Sequence, residues 1–422
     1  MDRLGAERTV RPIPATSTLA VVGAGPIGLE AAAWAVSHQW DVALFEKLRV
    51  GHHICQWGHV KLFSPFRMNH SNWGPQLLKR AFPDLTLPSE SVCMTGSEYV
   101  QRYLEPLSRL PGLSERIFLG AEVVQIGKEK LAKKDWIGDA KRTQHPFRIL
   151  LRNGNTEFIH KTRAVIDASG VYSSPQSLGS GNIPAPGELQ ARSEASSHLH
   201  YGLVDLLGQH RRQFEGRKTL LVGGGYSAAT ALEAFEQLVQ SAPETKVSWV
   251  NLCTAEEPYY RFDNDPLPYR DDLGKLGNRL AAAPPSWLDY FAGSSIEEIS
   301  RWPNGDQGTF EVVINSQQGC EKLEVDEIIA NVGFMPSNSI YRQLQVHECY
   351  ATTGPMKLAA TLLGGSPDCL AQKSQGIETL KNPEPDFFIL GNKSYGTNST
   401  FLLTHGIKQV EAVMNHLKEQ CI

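Results

Sequence analysis

The chain has 422 residues, 41% hydrophobic residues and a formal net charge of −4 at pH 7. Its length is too great for one ordinary hydrophobic core and predicts two domains, one of which can interrupt the other. The composition is that of a soluble globular protein, and the slightly acidic balance excludes the basic surface of a nucleic-acid-binding protein.

The N-terminal segment and the cysteines limit the cellular location. Residues 1–17 carry charges and prolines without an apolar stretch, which predicts a disordered lead-in and not a secretion signal. The apolar run at residues 19–37 is interrupted by glycines, a proline and Glu30, so we expect no membrane span. The seven cysteines are widely spaced, and no two form a Cys-x-x-Cys pair. This spacing predicts a reducing, cytoplasmic location with neither disulfides nor a metal site.

One compact unit follows the lead-in. Residues 19–22 predict a buried strand, which is followed directly by the loop Gly23-Ala24-Gly25-Pro26-Ile27-Gly28. In this GxGxxG spacing the first glycine allows a tight turn, the second lets the backbone approach a pyrophosphate, and the third lets helix and strand pack closely. Residues 29–38 then predict a helix whose N-terminal amides face the pyrophosphate.

The unit is completed by a second apolar strand at residues 41–47. This strand carries Glu46 and Lys47 at its end, and Glu46 lies eighteen residues past Gly28. An acid at this position accepts hydrogen bonds from the hydroxyls of an adenosine ribose. The order of strand, glycine loop, helix, strand and acid therefore predicts a dinucleotide site.

The middle of the first half is less regular. Residues 51–72 are rich in aromatic residues and histidine but lack a helical or alternating pattern, which predicts a long ordered loop. A helix follows with Ser97 as its N-cap. Strand-like runs span residues 122–126, 147–151, 157–161 and 164–170, and the lysine-rich insert at 128–142 predicts a solvated hairpin loop.

The first unit then recurs in the second half of the chain. Residues 219–222 predict a strand, followed by the loop Gly223-Gly224-Gly225-Tyr226-Ser227-Ala228, a helix at 228–240 and a strand at 246–252. Strands at 310–314 and 328–331 close this copy, and a strand at 386–392 and a helix at 400–418 end the chain. This duplication predicts two dinucleotide sites.

At this point the residues show a family resemblance. The two glycine loops, with strand ends at Ala168-Ser169-Gly170 and Asn331-Val332-Gly333, resemble the flavoproteins with two dinucleotide-binding domains, which include thioredoxin reductases and flavin-containing monooxygenases. The resemblance spans residues 18–418. It implies an α/β fold of two Rossmann-like domains: an FAD-binding domain at residues 18–195 and 332–422, interrupted by a smaller NAD(P)-binding domain at residues 196–331.

Two local segments refine the resemblance. The segment from Trp57 to Asn69 is similar to the tryptophan and arginine segment that the monooxygenases place beside the isoalloxazine. The same segment, together with Lys393-Ser394-Tyr395-Gly396, looks like a bacterial branch of FAD-dependent oxidoreductases.

The resemblance implies FAD in the first domain and NADPH or NADH in the second. The implied FAD contacts are Gly23, Gly25, Pro26, Ile27, Gly28, Glu46, Lys47, Trp57, Val124, Ser169, Gly170, Gly391 and Asn392. The implied NAD(P) contacts are Gly223, Gly225, Tyr226, Ser227 and Ala228.

One position departs from the family pattern. The family usually has an arginine or lysine at the end of the strand after the second glycine loop, where it holds a 2′-phosphate, but this chain has Asn251. No acid stands there either, so NADPH and NADH both stay open. Arg261, Arg270 or Lys275 can supply the missing charge from a later loop.

The expected reaction follows from the flavin edge. Lys61, Arg67 and Asn69 supply donors that can stabilise a charged oxygen species or orient a substrate there. We therefore expect a flavin-dependent monooxygenase that uses NAD(P)H and O2 on a small-molecule substrate, as a monomer or a homodimer. A reductase or dehydrogenase without oxygen insertion and a flavin-binding sensor without catalysis are the alternatives.

Other residues have a structural as well as a functional interpretation. His198 and His200 lie at a domain connection, where a structural role is favoured over proton transfer. His405 lies where the resemblance puts the last helix near the flavin, and a structural and a functional role are equally expected for it. Cys55 and Cys369 are each either a reactive thiol or a small apolar filler.

Overall fold

A computed structural model describes residues 12–301, 310–365, 368, 370 and 376–420 of the chain. The strands in these residues are β1 Thr16–Val22, β2 Val42–Glu46, β3 Ile117–Leu119, β4 Glu122–Lys128, β5 Phe147–Asn153, β6 Thr156–Asp167, β7 Leu199–Tyr201, β8 Lys218–Val222, β9 Lys246–Asn251, β10 Leu288–Ala292, β11 Ser295–Arg301, β12 Phe310–Ser316, β13 Gly319–Val325, β14 Glu327–Ala330 and β15 Phe387–Ile389. The helices are α1 Pro26–Ser37, α2 His52–Gln56, α3 Gly74–Ala81, α4 Gly96–Tyr99, α5 Glu105–Ser108, α6 Glu188–Glu194, α7 Arg211–Phe214, α8 Tyr226–Ser241, α9 Pro268–Ala282, α10 Met356–Leu363 and α11 Leu403–Glu419.

The first sheet combines both ends of the chain. Its strand order is β3-β2-β1-β6-β5-β4, and β15 also pairs with β6. The long strand β6 pairs with three strands. Strand β1 pairs with it on one side, while on the other side β5 pairs with its first half and β15 pairs in parallel with its last three residues. At the carboxyl edge Val22 and Ile389 both lie beside Asp167. The edge where a cofactor is expected is therefore built from three distant segments.

The second sheet lies wholly within the intervening part of the chain. Its order is β10-β9-β8-β14-β7, and every pairing in it is parallel. A separate antiparallel sheet has the order β11-β12-β13. The units β1-α1-β2 and β8-α8-β9 repeat the same arrangement, so the predicted α/β fold with parallel sheets is confirmed. The exact domain boundaries at residues 195/196 and 331/332 stay a prediction.

Helix α1 lies at the centre of the first domain. Its residues 27–35 are all buried, and the small side chains of Ala31, Ala32, Ala33 and Ala35 allow close packing around the helix. Helix α1 also packs against α11. One acid is enclosed with it: Glu30 accepts hydrogen bonds from the Ser71 hydroxyl at 2.6 Å and the Tyr103 hydroxyl at 2.5 Å. Burial raises the pKa of Glu30 above its usual range.

Several local predictions were wrong. The helix after residue 95 is capped by Thr95 and not by Ser97, because Thr95 and Glu98 form a reciprocal capping box. The predicted loop at residues 51–72 contains the short helix α2. The runs at 157–161 and 164–167 form the single strand β6.

The lysine-rich insert is anchored more firmly than predicted. Arg142 is fully buried and donates to both carboxylate oxygens of Glu384, at 2.9 and 2.7 Å. A solvated loop was expected there, but this pair ties the insert to the return segment before β15. Separately, none of the helices in the described ranges combines the length and the apolar character needed to cross a bilayer.

Candidate functional site

The first glycine loop has an open backbone surface at its centre. Gly23 has φ +97°, and a Cβ atom there would lie 2.8 Å from the Ala168 carbonyl oxygen, so only glycine fits without strain. A Cβ atom at Gly28 would overlap the Gly23 carbonyl oxygen. A Cβ atom at Gly25 would meet no described atom within 4 Å. The loop is therefore closed on two sides and exposes its backbone at Gly25.

The helix that follows presents free amides to this open surface. Helix α1 starts with Pro26, and Gly25 is its N-cap residue. Among the described residues, no side chain accepts a hydrogen bond from the amides of the first turn as a cap. Uncapped amides at a helix N-terminus attract anions, because the helix dipole adds a partial positive charge. Ile27 points away from this surface and contacts Gly391 and Gly406.

Glu46 stands beside the loop at the end of β2. Its Oε2 accepts the Ala24 N–H at 2.8 Å, and its Oε1 accepts the Leu48 N–H at 2.8 Å. Each oxygen keeps a lone pair for a further donor, so the carboxylate is held in place but can still bind a diol. Lys47 pairs instead with Glu122 on β4 at 2.8 Å. Val124 is half-buried on the same strand.

A buried ion pair links the carboxyl end of β6 to the turn after β15. Lys393 Nζ lies 2.7 Å from Asp167 Oδ2 and donates to Ser169 Oγ at 3.0 Å. Both charged side chains are at most 3% exposed. The Ser169 backbone N–H and hydroxyl donate to Asp167 Oδ1 at 3.1 and 2.6 Å. The pair fixes the turn that leads to Gly170, where a Cβ atom would meet no described atom within 4 Å.

This ion pair was not predicted from the sequence. Asp167 is a charged residue inside an otherwise apolar strand, and a buried charge requires a partner. That signal predicts a partner but does not identify Lys393, which is 226 residues away.

The turn after β15 is held by a short hydrogen-bond network. Gly391 has φ +73°, and its N–H donates to Gln409 Oε1 at 2.9 Å. The Gln409 amide in turn donates to Ser394 Oγ at 2.9 Å. These bonds fasten the turn to α11 and leave Asn392 lining the adjacent cleft. His405, at the start of α11, stacks on Tyr395, and burial lowers its pKa to about 4.

The predicted catalytic residues do not converge. Lys61 is exposed, and its Nζ lies 5.4 Å from the ring centre of Tyr269. Arg67 is also exposed. Asn69 is 1% exposed and exchanges hydrogen bonds with Ser64 at 2.7 and 3.0 Å. None of the three is among the described residues that line the cleft presented below, and their catalytic role stays a prediction.

The same loop joins the two domains. Phe63 packs its ring 5.5 Å from Tyr226 and 5.8 Å from Tyr269, which start α8 and α9. Trp57 lines the cleft, and its indole Nε1 is buried without a hydrogen-bond partner among the described residues. A buried donor of this kind indicates a missing acceptor.

The second glycine loop repeats the first. Gly223 has φ +140°, and a Cβ atom there would overlap the Asn331 carbonyl oxygen. A Cβ atom at Gly224 would overlap Asn251 Oδ1, whereas one at Gly225 would meet no described atom within 4 Å. Helix α8 starts at Tyr226 without a side-chain cap from the described residues. This second loop therefore also exposes backbone amides at a helix N-terminus; Tyr226 and Ser227 line the cleft, while Ala228 is buried in the core.

The loop is flanked by two buried asparagines with unused polar atoms. Asn251 is 3% exposed and Asn331 is 9% exposed. Asn251 Oδ1 accepts the Cys253 N–H at 3.0 Å, but its Nδ2 has no hydrogen-bond partner among the described residues. Asn331 Nδ2 donates to the Gly202 carbonyl at 2.7 Å, and within the described part of the chain its Oδ1 lacks a donor. Both atoms are available to a ligand.

A cleft of about 960 Å³ connects these features. It extends from Trp57, Tyr172 and Asn392 in the first domain to Gly225 and Asn251 in the second. Such a volume accommodates a cofactor-sized molecule.

The histidines at the domain connection share the carboxylate of Glu327, and His200 also lines the cleft. His198 Nδ1 lies 2.7 Å from one oxygen of Glu327, and His200 Nε2 lies 2.9 Å from the other. Gln213 donates to the same carboxylate at 2.9 Å. These bonds join β7 to β14. Of the two cysteines weighed earlier, Cys55 is half-buried and does not line the cleft, and Cys369 lies outside the described residues.

Comparisons with known proteins support the fold. No protein-family model matches the chain. A ferredoxin–NADP reductase of Streptococcus pneumoniae (strain Hungary19A-6) is 27% identical over 390 residues, which cover 87% of this chain and 96% of the relative. A second one, from serotype 19F of that species, matches at 27% over 231 residues, so the chain spans only about half its length.

Solved structures cover nearly the whole chain. A bacillithiol disulfide reductase from Bacillus cereus superposes with a TM-score of 0.65 at 16% identity, covering 96% of this chain and 99% of that one. An ornithine N-hydroxylase from Kutzneria has a TM-score of 0.64 at 14% identity, covering 96% and 100%. The predicted resemblance to flavoproteins with two dinucleotide-binding domains is thus confirmed at the level of the fold.

Proposed function

We propose that this chain is an FAD-dependent oxidoreductase that takes electrons from a nicotinamide cofactor and acts, with O2, as a monooxygenase on a small molecule. One observation carries the proposal: two glycine loops expose helix N-termini that no described side chain caps, each at the carboxyl ends of parallel strands in a separate sheet, and the second opens into a cleft that reaches the first domain. A single dinucleotide needs only one such loop.

The residues of the first domain fit FAD. The backbone at Gly25 and the first turn of α1 would hold the pyrophosphate, since both are open and uncapped. Glu46 would bind the ribose hydroxyls with the lone pairs that its two backbone hydrogen bonds leave unused. When bound, FAD supplies the two-electron chemistry, and the protein positions and shields it.

The cleft suits the reacting ends of two cofactors. Its first-domain wall carries Trp57, Tyr172, Phe334 and Phe401, and the rings of Tyr172 and Phe334 lie 4.7 Å apart. Aromatic walls exclude water from a reaction and provide flat surfaces for planar rings. The unpartnered Trp57 Nε1 supplies one donor inside this wall. Its bonding to a cofactor or substrate would satisfy an otherwise costly buried group.

The described lining of the cleft favours direct electron transfer to a small molecule or O2 over transfer through a thiol. No cysteine is among the described residues that line the cleft. A reductase without oxygen insertion is the second candidate, because the curated relatives bear the name ferredoxin–NADP reductase. In that case electrons leave for an external acceptor, and the same cofactor sites serve.

The visible spectrum of the purified protein tests the proposal. We expect a flavin spectrum that bleaches when NADH or NADPH is added without air and returns when air is admitted. Faster O2 consumption in the presence of particular small molecules, together with hydroxylated products, would identify the monooxygenase. Return of the spectrum only with an added electron acceptor would identify the reductase. A flavin that neither nucleotide bleaches would contradict both and favour a sensor without catalysis.

A further inference from the structure

The end of strand β9 sets the chemistry that the second dinucleotide site accepts. In a Rossmann-type unit the ribose of the adenosine lies beside the end of the strand that follows the glycine loop. Here that strand is β9, which ends at Asn251, and both Asn251 and Leu252 line the cleft. The groups around these two residues therefore decide between a 2′-hydroxyl and a 2′-phosphate.

Asn251 offers a neutral donor at this place. Its side chain is 3% exposed, and Oδ1 is occupied by the Cys253 N–H. The Nδ2 group has no partner among the described residues at ordinary hydrogen-bond distance, but burial raises the pKa of the Tyr290 hydroxyl, and the Asn251 side chain lies close enough to offset part of this rise. The amide carries two N–H groups, so one can serve Tyr290 while the other donates to a ligand hydroxyl. A buried amide can satisfy a hydroxyl, but it cannot neutralise the charge of a phosphate.

No described residue of the cleft supplies the positive charge that an arginine or lysine would bring to this position. The described residues that line the cleft include neither lysine nor arginine. Of the cations expected to substitute, Arg270 is 4% exposed and holds Asp265 with two bonds of 2.7 Å. Its guanidinium is committed to that carboxylate and also lies 3.4 Å from Asp368.

The other two cations share a cluster of acids. Arg261 donates to Asp271 at 2.8 Å, and Lys275 lies 2.7 Å from the same residue. Together they lower the pKa of Asp271 to about 2. Lys275 also pairs with Asp272, and the carboxylates of Glu257 and Asp263 act on Arg261 as well. Acids outnumber cations here, so the cluster repels a phosphate more than it attracts one.

From these contacts we infer that the second site takes a dinucleotide without a 2′-phosphate, which makes NADH the nicotinamide cofactor and Asn251 the residue that sets this preference. The inference rests on the proposed function. It also separates this chain from its curated relatives, whose name specifies NADP.

Equilibrium binding of NAD⁺ and NADP⁺ to the FAD-loaded protein, measured by isothermal titration calorimetry, tests the inference without turnover. We expect NAD⁺ to bind at least about tenfold more tightly, a difference of ~1.4 kcal/mol. Leu252→Arg places a cation on a 71%-exposed residue at the same edge and is expected to shift the ratio of the NADP⁺ and NAD⁺ affinities about tenfold toward NADP⁺. Gln240→Arg adds the same charge on an exposed residue at the far end of α8 and serves as the control.

The outcomes separate the inference from the proposed function. Equal or tighter binding of NADP⁺ by the unaltered protein would overturn the inference alone. An unchanged ratio in Leu252→Arg, or the same change in Gln240→Arg, would show that the ribose does not lie beside β9 and would also overturn it. Binding of neither nucleotide would overturn the inference and the proposed function together.

Discussion

Replacing Lys393 by methionine tests the buried ion pair at the edge of the first sheet. The change keeps the volume of the side chain but leaves the Asp167 carboxylate, which is fully buried, without its cation. Breaking such a pair costs ~3–5 kcal/mol. We expect about 3 kcal/mol, the lower end of this range, because the Ser169 N–H and hydroxyl still donate to Asp167.

Urea denaturation followed by circular dichroism and by flavin fluorescence measures the loss. Lys322→Met is the matched control, because Lys322 forms an ion pair of similar length with Glu311 but is 67% exposed, where water screens the interaction. Adding Asp167→Asn to Lys393→Met removes the uncompensated charge and is expected to restore part of the stability. A loss in Lys393→Met no larger than that in Lys322→Met, or a double variant less stable than the single one, would show that the buried ion pair does not stabilise the protein.

Three further predictions concern the cofactor loop, the last helix and the insert. Gly25→Val is expected to lose FAD on gel filtration because a side chain would fill the open surface of the loop, whereas Gly127→Val, at a strand position that is equally open, is expected to keep it. Because burial lowers the pKa of His405 to about 4 from 6.5, only the unfolded chain binds this proton between those pH values. The free energy of unfolding is therefore unaffected by His405 above pH 6.5, and His405 lowers it by at most ~3 kcal/mol as the pH drops to 4. In thermal unfolding, His405→Leu should make the free energy of unfolding depend less on pH in this range. An unchanged pH dependence would contradict the role of His405. Arg142→Met is expected to lower the free energy of unfolding by ~3–5 kcal/mol in urea denaturation, and adding Glu384→Gln should recover part of this loss. An equal loss in the single and the double variant would mean that the two charges are not coupled.

The sequence was sufficient for the parts of the fold that depend on local pattern. The two glycine loops were predicted because their spacing between a strand and a helix is a local pattern, as in the close approach of Gly28 to the Gly23 carbonyl. The parallel strands β1, β2, β8 and β9 were predicted because buried strands of this kind form continuous apolar runs.

What the sequence did not give is pairing over long separations. Arg142 looked like one of many charges in a basic insert, and only the fold brings Glu384 to it. Asn69 was predicted as a donor to the flavin, yet it is bonded to Ser64 five residues earlier and buried. The charges of Arg261 and Lys275 were visible in the sequence, but their partners were not. In each case the identity of the residue was informative and its partner was decided by tertiary structure.

The contact of Phe63 has a consequence for motion between the domains. Its ring belongs to the first domain, and the two rings that it touches begin the helices α8 and α9 of the second. Two aromatic contacts are together worth ~1–3 kcal/mol beyond the area they bury, and each 1.4 kcal/mol changes a population about tenfold. Phe63 therefore contributes about this much to the contact between the domains, and any motion that separates α8 and α9 from the loop of the first domain has to break both ring contacts.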